Sequence, residues 1–85
     1  MAQEMGLIDK ALVAVVIPVF NHEGKVAQVV RETMKLHMPV FVIDDGSTDS
    51  TYSRIKDISS LSIIRHESNK GKGAAILTGF AAAFP

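Results

Sequence analysis

The chain has 85 residues, which is room for one small domain. Its 9 Lys and Arg residues balance 9 Asp and Glu residues, so no basic excess points to a nucleic-acid partner and no acidic excess marks a solvated tail. The absence of cysteine removes a disulfide framework, a thiolate zinc site and a Cys nucleophile together, and it suits a reducing, cytoplasmic compartment.

Residues 1–10 carry no clear period and are expected to form a loose terminus, with the domain occupying residues 11–85. The apolar run Ala11–Phe20 is too short to cross a membrane, which takes about 20 residues. Lys10 precedes it as in a secretory leader, but it ends in Phe20-Asn21-His22-Glu23 with no small-x-small cleavage pattern. Residues 12–17 are continuous, apolar and rich in β-branched side chains, as in a strand covered on both faces of a parallel sheet. Pro18 has no N–H for a ladder, so the strand is expected to finish there.

A helix is expected over about residues 24–36, where Val26, Val29, Val30, Thr33 and Met34 recur at helical spacing and Lys25, Gln28, Arg31, Glu32 and Lys35 take the other side. Asn21 or His22 stands near its N-cap, and Pro39 blocks its extension. Val40–Ile43 reads as a second strand, and Asp44-Asp45-Gly46-Ser47-Thr48-Asp49 as a turn and cap cluster. A second helix follows over about 50–58, with Tyr52, Ile55 and Ile58 on one face, then a third strand at 61–65. Residues 67–73 form a polar loop containing glycine, and a last helix covers about 74–84. No internal repeat, low-complexity tract or linker interrupts this order.

Alternation of strand and helix with short loops gives an α/β fold, half of a Rossmann-like doubly wound sheet with three parallel strands. The last helix is uncharged from Ala74 to Phe84, and a helix apolar on every side needs cover on every side. The expectation is that more protein follows in the natural gene, or that copies associate as a homo-oligomer through the open sheet edge and this helix.

Ligands of open parallel sheets bind beyond the carboxyl ends of the strands, where three polar loops leave this sheet: 18–24, 44–49 and 67–73. Asp44 and Asp45 are consecutive in an extended segment and point in different directions. One can hold the turn by accepting backbone N–H groups, while the other faces the cleft and accepts a ligand N–H such as a nucleobase presents. Alternatively both, with Ser47 and Asp49, only cap the second helix. Pro18, Val19, Phe20 and Asn21 offer backbone groups and an aromatic face, or a plain strand-to-helix turn. Asn69, Lys70, Gly71, Lys72 and Gly73 suit a diphosphate ahead of a helix N-terminus, or form a solvated loop with a glycine hinge. Neither the phosphate-binding P-loop spacing nor Gly-x-Gly-x-x-Gly after the first strand is present. His22, His37 and His66 have no i,i+4 pairing, so they read as surface or loop histidines rather than metal ligands. Ser47 and Ser53 have no placed His partner for nucleophilic catalysis. A phospho-accepting receiver domain would carry its paired acids after the first strand, whereas here they follow the second.

Three stretches together carry a resemblance: Val15-Val16-Ile17-Pro18-Val19-Phe20-Asn21, Val42-Ile43-Asp44-Asp45-Gly46-Ser47-Thr48-Asp49-Ser50-Thr51, and Asn69-Lys70-Gly71-Lys72-Gly73-Ala74-Ala75. In them the chain resembles the N-terminal part of the inverting nucleotide-sugar glycosyltransferases of family 2, the GT-A fold group that includes dolichyl-phosphate mannosyltransferase-like enzymes. The resemblance implies a nucleotide site of Pro18, Val19, Phe20, Asn21, Glu23, Asp44, Asp45, Gly46, Ser47, Lys70, Gly71 and Lys72. Within it Pro18, Val19 and Phe20 line the base and ribose pocket, Asp45 contacts the base, Asp44 shapes or joins the site, and Lys70–Gly73 lies near the nucleotide. Phe20 stands where a tyrosine is usual, and His22 where a glutamate often follows the Asn. The implied donor is a UDP- or GDP-sugar, the acceptor a polyprenyl phosphate or a saccharide, and the setting the cytoplasmic face of a membrane. The family's Asp-x-Asp-type metal motif and catalytic base have no counterpart in these residues. The chain is therefore expected to hold no cofactor and no catalytic residue and to transfer no sugar alone, with Mg or Mn expected in the full-length parent.

Overall fold

The computed structural model describes residues 13–85, so the expected loose terminus lies outside the described residues. The elements run β1 (Val15–Val19), α1 (Val26–Met34), β2 (Val40–Asp44), α2 (Thr51–Ile55), β3 (Leu61–Arg65) and α3 (Lys72–Ala83). The strands form one parallel sheet in the order β1-β2-β3. This is the α/β half of a Rossmann-like sheet that the strand and helix alternation implies.

β1 does not stop at Pro18. It continues to Val19, with Pro18 paired in register with Ile43. The reason lies in which way the backbone faces. Val15 N–H bonds the Pro39 carbonyl at 2.8 Å and the Val19 carbonyl accepts Asp45 N–H at 2.8 Å, so Val15, Ile17 and Val19 turn their polar groups toward β2. Pro18 sits on the alternate set, facing the edge of β1 that has no partner strand among the described residues, where its missing N–H costs no ladder bond.

Alternation also sorts the core. Val15, Ile17 and Val19 share a face with Val40, Val42, Leu61 and Ile63, and this face packs Val26 and Val30 of α1 and Ile55 of α2. Val26, Val30, Val42 and Ile55 are fully buried. The opposite face, with Val16 and Ile43, receives α3 through Gly79, where an added Cβ would overlap Val16 Cγ1 and stand 3.2 Å from Ile43 Cγ1. The helix therefore approaches the sheet at backbone distance because residue 79 has no side chain.

The helices differ from their expected ends. α1 starts at Val26 with no side-chain cap, because the Asn21 side chain is used elsewhere and Asn21 itself takes a left-handed φ of 48°. Val29, expected on the buried side, is exposed, while Val26 and Val30 carry the packing. α2 closes at Ile55, after which Ile58 N–H bonds the Ile55 carbonyl in a tight turn and Ile58 still packs on the core. α3 begins at Lys72, two residues early, because Gly71 at φ 99° forms its N-cap. Only its inner face is covered among the described residues: Ala75 and Gly79 are buried, whereas Leu77 and Phe80 are 69% and 59% exposed. The expectation of cover on every side is not met by these residues.

Candidate functional site

The three loops beyond the strand ends gather at one rim, tied by side-chain to backbone bonds. Loop 20–25 and loop 45–50 interlock in both directions. Asn21 N–H donates to Ser47 Oγ at 2.8 Å and His22 N–H to Thr51 Oγ1 at 2.7 Å. In return Thr48 N–H donates to Asn21 Oδ1 at 2.8 Å and Ser50 N–H to Glu23 Oε1 at 2.8 Å. Asp49 bridges the two loops, accepting Glu23 N–H on Oδ2 and the Thr51 amide and hydroxyl on Oδ1. Burial pushes the Asp49 carboxyl up, but the Thr51 donors and the Glu23 amide outweigh it and hold the group below its ordinary value.

The paired acids diverge as alternation requires. Asp44, the last β2 residue, lies on the face of α1 and α2 and is fully buried. Its Oδ1 accepts Ser47 N–H at 3.0 Å and so holds the turn. Its Oδ2 stands 3.3 Å from Arg65 Nε, the register partner one strand over, but the two are not aligned for a hydrogen bond and Oδ2 has no donor. The Arg65 guanidinium also lies 4.2 Å from the centre of the Tyr52 ring, a cation–π contact.

Asp45 turns to the α3 side. Oδ1 accepts Lys70 N–H at 2.9 Å and lies 2.7 Å from His66 Nδ1, while Oδ2 accepts Gly71 N–H at 2.9 Å. The carboxylate thus binds the backbone just where α3 begins. The His66 hydrogen bond, chiefly, and the two amides hold its carboxyl below the ordinary value against an opposing effect of burial. Gly46 makes the approach of loop 67–71 possible. Its φ is 80°, and a Cβ there would stand 2.5 Å from Asn69 N and the Ser68 carbonyl carbon.

A cleft of about 450 Å³ opens over these loops, lined by Pro18, Val19, Phe20, Asp45, Gly71 and Lys72 among others. Phe20 is 47% exposed and offers an apolar ring at its wall. His22, Val29 and Asn69 line it too, although the spacing of Val29 alone assigns it to the core. Of the other residues named from sequence, Asn21, Glu23, Asp44, Gly46 and Ser47 build the loop scaffold rather than the cleft wall, and Lys70 contributes its amide to Asp45. The lack of a histidine partner predicts a surface or loop position for His66, and it lies in the loop directly after β3. Its side chain is in fact 9% exposed and bridges Asp45 and Thr78, whose Oγ1 is 2.9 Å from Nε2. The signal available in the sequence was its place directly after β3, level with the turn that follows β2.

Among the described residues no group of three His, Asp or Glu side chains is arranged to hold a metal ion.

The model of the glycosyl transferase family 2 matches residues 14–84. The chain belongs to that family. It is 35% identical to an uncharacterized protein of Methanocaldococcus jannaschii, over 75% of the chain and 30% of that protein. It is 30% identical to the UDP-N-acetylglucosamine--dolichyl-phosphate N-acetylglucosaminyltransferase of Methanococcus voltae, over 92% of the chain and 38% of that enzyme. It is 25% identical to the dolichyl-phosphate beta-glucosyltransferase of Dictyostelium discoideum, over 85% of the chain and 27% of that enzyme. The family 2 chain thus spans well under half the length of these curated relatives. None of the helices in the described residues is long and apolar enough to cross a membrane.

Proposed function

We propose that the chain is the nucleotide-binding part of a glycosyltransferase that moves a sugar from a UDP- or GDP-sugar to a lipid phosphate or saccharide. The observation that carries this is the carboxylate of Asp45 in the wall of the cleft. A carboxylate oxygen accepts two hydrogen bonds comfortably. Oδ1 is filled by His66 and Lys70, and Oδ2 by Gly71 alone, which leaves one acceptor for the ring N–H of uracil or guanine. Phe20 and Pro18 give the flat base an apolar bed, and the ribose lies toward Val19. Lys72, in the first turn of α3, lies on the same wall with the positive end of that helix, where a diphosphate gains most.

The related transferases from Methanococcus and Dictyostelium carry dolichyl phosphate in their names, which supports a polyprenyl phosphate acceptor and work at a membrane face. In this proposal the acceptor site, the catalytic base and the Mg or Mn ion belong to other parts of a longer protein, and the 85 residues transfer no sugar alone. Calorimetric titration with UDP, GDP and ATP tests the reading. UDP or GDP is expected to bind and ATP not to. Equal heats for all three nucleotides, or none for any, would end it.

One observation favours a second reading, a non-catalytic module that pairs with its own copy. Among the described residues Leu77 and Phe80 stand exposed on α3 and the outer edge of β1 has no partner strand. Light scattering would then show mass rising with concentration, and a constant monomer mass would exclude it.

A further inference from the structure

His66 is nine-tenths buried, polar and placed between two partners on different elements, yet it does not line the cleft. Its partners fix the role of one ring nitrogen. The Asp45 carboxylate is ionised at neutral pH and can only accept, so the hydrogen shared across the 2.7 Å contact sits on His66 Nδ1. In the neutral ring Nε2 is then an acceptor and receives the Thr78 hydroxyl at 2.9 Å. Thr33 of α1 returns its hydroxyl to the carbonyl four residues back, at Val29. Thr78 turns its own to the imidazole instead and holds the far edge of the ring from α3.

The consequence falls on Asp45. With only the amides of Lys70 and Gly71, one on each oxygen, its carboxylate would keep a free acceptor on both oxygens. The imidazole fills the second position on Oδ1 and confines the free one to Oδ2. We propose that His66 is a positioning residue for ligand recognition, which leaves Asp45 a single acceptor, on Oδ2, for a base N–H in the cleft. This inference rests on the nucleotide reading of the site. It adds a specificity element, since an ionised carboxylate held this way favours bases that present a ring N–H and repels those that present a ring acceptor.

Two conservative substitutions separate positioning from bulk. In His66→Asn the side-chain NH₂ takes the place of Nδ1 and can still donate to Asp45. In His66→Gln the amide reaches the Nε2 position and serves Thr78, but leaves Asp45 Oδ1 short of a donor. Titrating UDP and GDP into the unaltered chain and both variants is expected to leave His66→Asn within about threefold of the unaltered affinity and to weaken His66→Gln by about tenfold. Equal affinity for all three chains, together with loss of binding in a separate Asp45→Ala variant, overturns the positioning role and leaves the nucleotide reading standing. No binding of either nucleotide by the unaltered chain overturns both. Nitrogen NMR of the ring in the unaltered chain needs no variant to fold. A proton on Nδ1 at neutral pH is expected, and a ring without one there overturns the inference.

Discussion

The carboxylate of Asp45 accepts the backbone amide of Gly71 at 2.9 Å, and so joins the turn after β2 to the N-cap residue of α3. One side chain thereby anchors the segment that leads into a helix and lines a cleft. Asp45→Asn puts an NH₂ group among three donors and cannot satisfy them all. Nucleotide affinity is expected to fall about tenfold or more, as when a charge-assisted hydrogen bond is lost. The melting temperature should fall with it, because α3 loses its anchor. Calorimetry and thermal unfolding on the same sample check both.

The acid limb of stability follows from the same group. The Asp45 and Asp49 carboxyls are both held below the ordinary value of 3.8 in the folded chain. Their stabilisation is therefore fully present above that value and is lost as pH falls through the lower folded values, since the unfolded chain then binds protons more readily. Melting temperature should be level from neutral pH to about 5 and drop below about 4. The double variant Asp45→Asn, Asp49→Asn should start lower and show a shallower drop. An equally steep drop would place the acid-sensitive groups elsewhere.

Gly79→Ala tests the contact of α3 with the sheet. The new methyl would overlap Val16 Cγ1, in a strand that cannot retreat without breaking its ladder with β2. Overpacking of this kind costs about 1–3 kcal/mol. Denaturant unfolding should show a lower midpoint with an unchanged slope.

Gly46→Ala meets two obstacles, a φ of 80° and backbone atoms of Ser68 and Asn69 at 2.5–2.9 Å from the new carbon. Loop 67–71 has to move away, which withdraws the Lys70 and Gly71 amides from Asp45. A loss of about 2 kcal/mol or more and of nucleotide binding is expected, the stability loss seen in denaturant unfolding and the binding loss in calorimetry.

The sheet and its loops were legible because periodicity and β-branched runs report burial directly. Leu61–Arg65 has the bounds its sequence implies, and Asp44 and Asp45 diverge as consecutive residues in an extended segment do. What the sequence hid depends on partners distant along the chain. Pro18 continues β1 because that strand is an edge among the described residues, a fact of strand order that local sequence does not hold. Asn21 Oδ1 and Glu23 Oε1 also serve amides across the loop, and Thr48 and Ser50 reveal that only once the loops are side by side. His66 looked ordinary because its partners lie 21 and 12 positions away.

Amide chemical shifts of the labelled, unaltered chain, followed as UDP or GDP is added, test the central claim most directly. The account predicts movement concentrated at Phe20, Asp45, Gly46, Gly71 and Lys72, with residues at the opposite end of the strands, such as Val40 and Leu61, unmoved. Stationary Gly46 and Gly71 signals at millimolar nucleotide, or shifts centred on Val40 and Leu61, would contradict it.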